Sequence, residues 1–140
     1  MKIHIQAHVD NALDSHRAVV ATNGASRDLD IPPRAAGYGS SANGGEILCL
    51  ALATCYCNDI YREASARGID VLHVAVHVDA TFGAPGAPAS AVKYRADVTA
   101  RASEGDIRAL MLHTDGVAEI QNTLRQGMAV EFEVGTVVAA

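Results

Sequence analysis

An almost continuously apolar stretch, ILCLALATCYC at residues 47–57, is the strongest restriction that the sequence places on the fold. Just before it, Asn43 and Glu46 have the spacing of a capping box, in which two side chains satisfy backbone N–H groups at a helix start. The pattern predicts a helix over residues 45–67 that stops at Gly68. Because the first half of this helix is apolar on nearly every side, we expect it to be buried inside the protein or in an interface.

Short strands are predicted before the helix. Residues 2–9 alternate apolar and polar side chains, which is typical of a half-buried strand. Residues 16–23 and 26–31 indicate two more strands on either side of Asn23-Gly24, a strong hairpin signal. Residues 32–45 are rich in Pro, Gly and Ser and have no period, so they are predicted to form a loop.

Two long alternating segments follow the helix. Residues 71–82 and 91–101, joined by GAPGAPAS, predict an antiparallel hairpin in which each strand has one dry face and one wet face. The predicted dry face consists of Leu72, Val74, Val76, Val78, Ala80 and Phe82 in the first strand and Val92, Tyr94, Ala96, Val98 and Ala100 in the second.

The rest of the chain predicts two shorter helices and a last strand. Residues 103–116 form the first helix, with Ser103 as its N-cap, and residues 117–127 form the second. Residues 128–139 alternate again and predict a final strand. We therefore expect residues 1–140 to be a single α+β domain in which helices pack on antiparallel sheets.

Composition and charge exclude several classes of partner. The net charge is −5 and the basic residues are scattered, which argues against nucleic acid or an anionic membrane surface. No signal-peptide pattern is visible, and the apolar run is too short to cross a bilayer. We expect a cytoplasmic protein whose three cysteines are reduced thiols. Its core, without Trp, is built mainly from small aliphatic side chains, which would pack more easily under a second copy.

The histidines, glycines and serines do not form familiar catalytic motifs. His4 and His8, like His73 and His77, lie four residues apart along a strand, so about 13 Å separates their Cα atoms and they cannot share a metal ion. The glycines of residues 37–45 match no phosphate-binding loop, and the sequence contains no G-x-S-x-G or H-E-x-x-H. We therefore expect no metal site and no cofactor.

The cysteines are the remaining candidates for chemistry. On a helix the side chains of Cys55 and Cys57 diverge by about 200°, and Cys49 lies about 9 Å of rise before Cys55. No pair can close a disulfide or hold one metal ion without unwinding the helix. A cysteine in an apolar helix is most often an inert core residue, so a reactive one would act singly with a partner from elsewhere in the fold.

The segment NGGEILCLALATCY resembles the helix signature of the OsmC/Ohr family, the osmotically inducible and organic hydroperoxide resistance proteins. That signature opens approximately N-P-E-E-L and closes A-A-C. The order of predicted elements and the later segment IQNTL agree with the family. The resemblance implies an intertwined homodimer, antiparallel sheets around a long central helix, active sites at the subunit boundary, and thiol peroxidase activity on organic hydroperoxides.

The same resemblance suggests which residues form the site. Cys55 takes the position of the peroxide-attacking cysteine, and Arg34, in the loop before the helix, that of the activating arginine, with Arg17 as the alternative. Glu46 is the retained member of two glutamates and would orient the arginine. A cation is needed because Cys55 lies about three turns into its helix, beyond the reach of the helix dipole. Burial in apolar surroundings would also raise the pKa of its thiol.

Ala118 is the main departure from the family pattern. Within AEIQNTL it occupies the position of a second, resolving cysteine, in a pattern like C-P-x-S-x-T-L, and Glu119 replaces the proline. The resemblance then implies a one-cysteine cycle, in which an external thiol or dithiol reduces the oxidised Cys55. The alternative is a non-catalytic member of the fold that binds a small apolar ligand at the dimer interface.

Overall fold

The computed structural model describes residues 2–140, which fall into two compact units that divide between Leu48 and Cys49. The predicted α+β architecture with antiparallel sheets is confirmed. The elements in chain order are β1 (Ile5–Ala12), β2 (Ser15–Thr22), β3 (Ala25–Leu29), α1 (Gly44–Ala66), β4 (Asp70–Phe82), β5 (Ala89–Arg101), α2 (Glu104–Val117) and α3 (Glu119–Gln126). None of these helices combines the length and apolar character needed to cross a membrane.

The first unit contains a three-stranded antiparallel sheet in the order β1-β2-β3. Asn23 and Gly24 have positive φ angles of 49° and 83°, as the predicted tight hairpin turn requires. The prediction that the first strand is half-buried is wrong for this chain, because all eight residues of β1 are exposed. Its alternating apolar face is therefore uncovered.

The glycine-rich loop is held against the end of the β1–β2 hairpin. The Gly37 N–H donates to the Asp14 carboxylate at 3.1 Å, and the Gly39 N–H donates to the Asn11 side-chain oxygen at 3.0 Å. Within the loop, the Arg34 N–H donates to the Gly39 carbonyl at 3.0 Å. These bonds order the backbone that carries Arg34.

Helix α1 begins with the predicted capping box. Asn43 Oδ1 accepts from the Glu46 N–H at 2.8 Å, and Glu46 Oε1 accepts from the Asn43 N–H at 2.9 Å. The helix ends just before Gly68, whose φ of 66° favours glycine. Only one stripe of α1 is buried in this chain, and it consists of Leu52, Tyr56, Asp59, Ile60 and Ala64.

The core of the second unit lies between α1, α2 and the hairpin of β4 and β5. It is formed by Tyr56, Ile60, Ala64 and Leu110, against which the apolar face of the hairpin packs. The assignments of Leu72, Phe82 and Val92 to the dry face are wrong, because all three side chains are exposed. The strand register shifts between Val71 and His73, so Val71 points inward while Leu72 is exposed.

The short helices follow the prediction, but the last strand does not. Ser103 caps α2 by accepting from the Asp106 N–H at 3.1 Å, and α3 starts directly after the buried Ala118. The prediction of a strand over residues 128–139 is wrong for this chain. A strand needs a neighbour that pairs with its backbone, and this segment pairs with none of the described strands.

Candidate active site around Cys55

Helix α1 brings Cys55 and Asp59 together on one face, because residues four apart are neighbours on a helix surface. The Cys55 S–H donates to Asp59 Oδ2, with a distance of 3.4 Å between sulfur and oxygen. Cys55 is half-buried, and Asp59 is a buried carboxylate. A thiol at this position is therefore both reachable and paired with a base.

On α3, the backbone N–H of Ile120 is close enough to the Cys55 sulfur to lower the pKa of its thiol. This N–H belongs to the first turn of α3, whose N-cap residue Ala118 makes no side-chain capping bond. First-turn N–H groups have no partner within their own helix and favour negative charge. The prediction that Cys55 needs a nearby cation considered only the N-terminus of α1 and not that of α3.

The pKa of the Cys55 thiol reflects competing effects. Burial raises it most, the Ile120 N–H lowers it, and the nearby carboxylates of Asp59 and Glu119 raise it again. Burial likewise raises the pKa of Asp59, while its bonds with Cys55 and Arg62 act in the opposite direction. Burial therefore favours the uncharged form of both groups.

Arg62 connects the carboxylates around this pair. One of its guanidinium nitrogens lies 3.2 Å from Asp59 Oδ1 and 3.0 Å from Glu119 Oε1, so it links α1 to α3. Its Nε donates to Glu63 at 2.8 Å, and Glu63 in turn bonds His113 of α2 at 2.6 Å. Hydrogen bonds from Arg62 hold the pKa of Glu119 below its usual value.

The cluster does not favour a metal ion. Cys55, Asp59 and Glu119 offer atoms that lie within 4.8 Å of one another. However, Arg62 already bonds both carboxylates, so its charge offsets one of their two negative charges and lowers the attraction for a cation.

A cleft of about 250 Å³ opens one helical turn before Cys55. Gln121, the residue after Ile120, lies in its wall, and its amide nitrogen donates to the Leu52 carbonyl at 3.0 Å. The walls are mostly apolar, with the lining residues Leu52, Val92, Tyr94, Gln121, Leu124 and Arg125. Its size and chemistry suit a small apolar group.

The other residues predicted for the site lie in the first unit. The Arg34 side chain is exposed, and its guanidinium lies over Gly39, 3.3 Å from the position that a Cβ would occupy there. Arg17 is paired with Asp28 at 3.2 Å. Glu46 is engaged in the capping box, and within residues 2–140 no ion pair joins it to Arg34. The activating role of Arg34 and the orienting role of Glu46 stay predictions.

Sequence reasoning missed four participants, namely Asp59, Arg62, Glu119 and Ile120. The spacing of Asp59 from Cys55 was a usable signal, because i and i+4 side chains meet on a helix. Glu119 follows the departure at Ala118, but its approach to α1 depends on how α3 packs. Cys49 and Cys57 are half-buried free thiols, in keeping with a packing role.

Comparison with known proteins identifies the family. The sequence pattern of the family described as OsmC-like protein matches residues 37–133. The chain belongs to the OsmC-like family. No curated protein matches its sequence.

Solved structures of OsmC-like proteins share its fold. An OsmC-like protein from Mycoplasma pneumoniae is 18% identical, with a TM-score of 0.61 over 89% of this chain and 88% of the other. An organic hydroperoxide resistance protein OsmC from Legionella pneumophila is 20% identical, with a TM-score of 0.59 over 87% and 89%. An OsmC-like protein from Vibrio cholerae is 12% identical, with a TM-score of 0.56 over 88% and 93%. At these identities the similarity establishes the fold alone.

Proposed function

We propose that this OsmC-like protein is a thiol-dependent peroxidase that reduces organic hydroperoxides through Cys55, in defence against oxidative stress. The observation that carries the proposal is the hydrogen bond from the half-buried Cys55 thiol to the Asp59 carboxylate, and the Ile120 N–H nearby lowers the pKa of that thiol. Family membership and a structural relative described as an organic hydroperoxide resistance protein support it.

The reaction is a two-electron oxidation of sulfur. The Cys55 thiolate attacks the terminal oxygen of the hydroperoxide, the O–O bond breaks, and an alcohol leaves while sulfenic acid remains on the protein. Because Ala118 occupies the resolving position, an external thiol or dithiol returns Cys55 to the reduced state. Cys49 and Cys57 lie on the same helix as Cys55, where geometry disfavours a disulfide with it.

The apolar cleft supports an organic rather than an inorganic peroxide as substrate. Two lining residues adjoin the site. Leu52 lies one helical turn before Cys55 on α1, and Gln121 directly follows Ile120 on α3. An alkyl or aryl group could occupy the cleft while the peroxide group reaches the sulfur. Burial of that group would contribute about 25 cal/mol per Å² of apolar surface.

The proposal includes a homodimer in the cytoplasm, with Arg34 as the activating arginine and Glu46 as its orienting partner. A second copy would cover apolar residues that one chain leaves exposed, such as Leu50 of α1, which is 63% exposed. A guanidinium brought to the sulfur would stabilise both the thiolate and the developing alkoxide. A reducing compartment keeps all three thiols available.

The test measures consumption of cumene hydroperoxide with dithiothreitol as reductant. We expect the wild type to consume it at a rate that Cys55→Ser reduces to background. Cys57→Ser is the matched control, since it makes the same change two residues away, and should keep the wild-type rate. Equal rates for wild type and Cys55→Ser would overturn the proposal.

A non-catalytic role is the second candidate, and the raised pKa of the Cys55 thiol favours it. In that role the protein would bind a small apolar ligand at the dimer interface and need no thiolate. It predicts that Cys55→Ser binds such a ligand as well as the wild type does. The same variant therefore separates the two candidates.

A further inference from the structure

Asp59 is the one carboxylate that the structure pairs directly with the Cys55 thiol. The 3.4 Å contact directs the thiol proton at Oδ2, while Oδ1 is bonded to Arg62 at 3.2 Å. The two oxygens of Asp59 therefore have separate partners, one that can give a proton and one that fixes the carboxylate. The Asp59 side chain is only 8% exposed, so its protonation is coupled mainly to these neighbours.

The surrounding charges limit how far Asp59 can act as a base. Burial raises its pKa, Glu119 from α3 raises it further, and Arg62 from α1 lowers it. Arg62 Nε also donates to Glu63, and Glu63 in turn bonds His113 of α2. The pKa values of Asp59 and of the Cys55 thiol are both raised, and the hydrogen bond between the two groups gives the proton a direct path in either direction, which acid–base catalysis requires.

We propose that Asp59 is a catalytic proton acceptor and donor for Cys55, and that Arg62 is its positioning residue. The inference rests on the proposed peroxidase function. The thiol proton moves from the sulfur to Asp59 Oδ2, and the Ile120 N–H stabilises the thiolate that results. The sulfur electron pair then forms an S–O bond with the terminal oxygen of the hydroperoxide. The O–O bond breaks, and the leaving alkoxide takes the proton back from Asp59 to become the alcohol.

A catalytic role and a purely electrostatic role for Asp59 predict opposite changes in the rate of hydroperoxide oxidation when the Asp59 charge is removed. The Asp59 carboxylate raises the pKa of the Cys55 thiol. Removing its charge therefore increases the thiolate fraction and speeds any reaction that needs only a thiolate, such as alkylation. Reaction with a hydroperoxide, in contrast, loses the proton that the leaving alkoxide needs, and should become slower.

The test compares Asp59→Asn with the wild type in two reactions of Cys55. Alkylation by iodoacetamide is followed across pH by peptide mass, and oxidation by cumene hydroperoxide is followed in a single turnover. We expect faster alkylation at pH below the thiol pKa, but hydroperoxide oxidation slower by about 100-fold, as for loss of an acid–base catalyst. Asp70→Asn is the control, because it makes the same change at an arginine-paired carboxylate on β4.

A second variant guards against a folding defect. Asp59→Ala removes the carboxylate and leaves space, so added formate should restore its hydroperoxide rate in a concentration-dependent manner. Formate should not restore Asp59→Asn, which keeps the space filled. Hydroperoxide oxidation that accelerates together with alkylation, or that formate fails to restore in Asp59→Ala, would overturn the assignment. If the wild type itself reacts no faster than Cys55→Ser, the proposed function fails and this inference fails with it.

Discussion

At the residue scale, Cys55 is distinguished from the other two cysteines by what its sulfur contacts. It has an acceptor in Asp59, and the Ile120 backbone N–H is a nearby donor that lowers the pKa of the thiol. The acceptor can remove the proton of a thiol, and the donor can stabilise a thiolate or an oxidised sulfur. Reactivity here would depend on a balance between these two groups rather than on a low thiol pKa alone.

The absence of a cysteine at position 118 leads to a prediction about the oxidised protein. Ala118 is 0% exposed, and the resemblance to the OsmC/Ohr family implies that it stands at the position of a resolving cysteine. After treatment with one equivalent of cumene hydroperoxide, we expect no disulfide that joins Cys55 to Cys49 or Cys57. Non-reducing peptide mass analysis measures this, with protein alkylated before oxidation as the control. A Cys55 disulfide within one chain would show that α1 unwinds to resolve the oxidised sulfur.

At the element scale, α1 serves both the core and the site. Tyr56, one residue after Cys55, points into the core, where its hydroxyl donates to the Met111 carbonyl at 2.9 Å. Its ring packs edge-on against Tyr94 with 5.4 Å between centroids. These contacts anchor to the core the turn of α1 that carries Cys55.

The tyrosine in this core predicts a loss of stability at alkaline pH. Burial raises the pKa of Tyr56 to about 12, above an unfolded value of about 10. Neutral Tyr56 therefore stabilises the fold fully below pH ~10, and this contribution is lost as the pH rises toward ~12. We expect Tyr56→Phe to lower the free energy of unfolding at pH 7 by about 1 kcal/mol and to flatten its alkaline decline.

Urea denaturation at a series of pH values, followed by circular dichroism, measures this effect. Tyr61→Phe is a matched control, because Tyr61 is on the same helix but is exposed. Its alkaline decline should equal that of the wild type. An alkaline decline in Tyr56→Phe as steep as in the wild type would contradict the account of the core.

Sequence patterns predicted the elements better than the contacts between them. Local signals, such as the capping box at Asn43 and the Asn23-Gly24 turn, depend on neighbouring residues and were confirmed. The bulge that exposes Leu72 depends on how two strands pair, and one sequence does not contain that information. Glu119 was missed for the same reason, since α3 must pack on α1 before it joins the cluster, whereas the i, i+4 spacing of Asp59 from Cys55 was visible in the sequence.

At the scale of the whole molecule, one chain leaves much apolar surface exposed. In the C-terminal segment, Val130 is 94% and Phe132 is 90% exposed, and they alternate with Glu131 and Glu133. Large exposed apolar surfaces usually mark interaction sites. This alternating segment has no strand partner within residues 2–140, and we propose that it pairs with a strand of the second copy in the homodimer.

The homodimer predicts a specific effect of charge in that segment. We expect the wild type to have the mass of a dimer in solution and Phe132→Asp to shift it toward the monomer, because a carboxylate would be buried at the contact. Glu131→Gln, on the opposite face of the alternating segment, should remain dimeric. Multi-angle light scattering measures the mass, and a wild type that is monomeric at all concentrations would contradict the proposal.

The most direct test of the central claim is to trap the oxidised sulfur of Cys55. Reduced protein is treated with one equivalent of cumene hydroperoxide in the presence of dimedone, which bonds covalently to sulfenic acid, and the peptides are analysed by mass. We predict a dimedone adduct on Cys55, with Cys49 and Cys57 unmodified. Cys55 recovered as an unmodified thiol after this treatment would contradict the account.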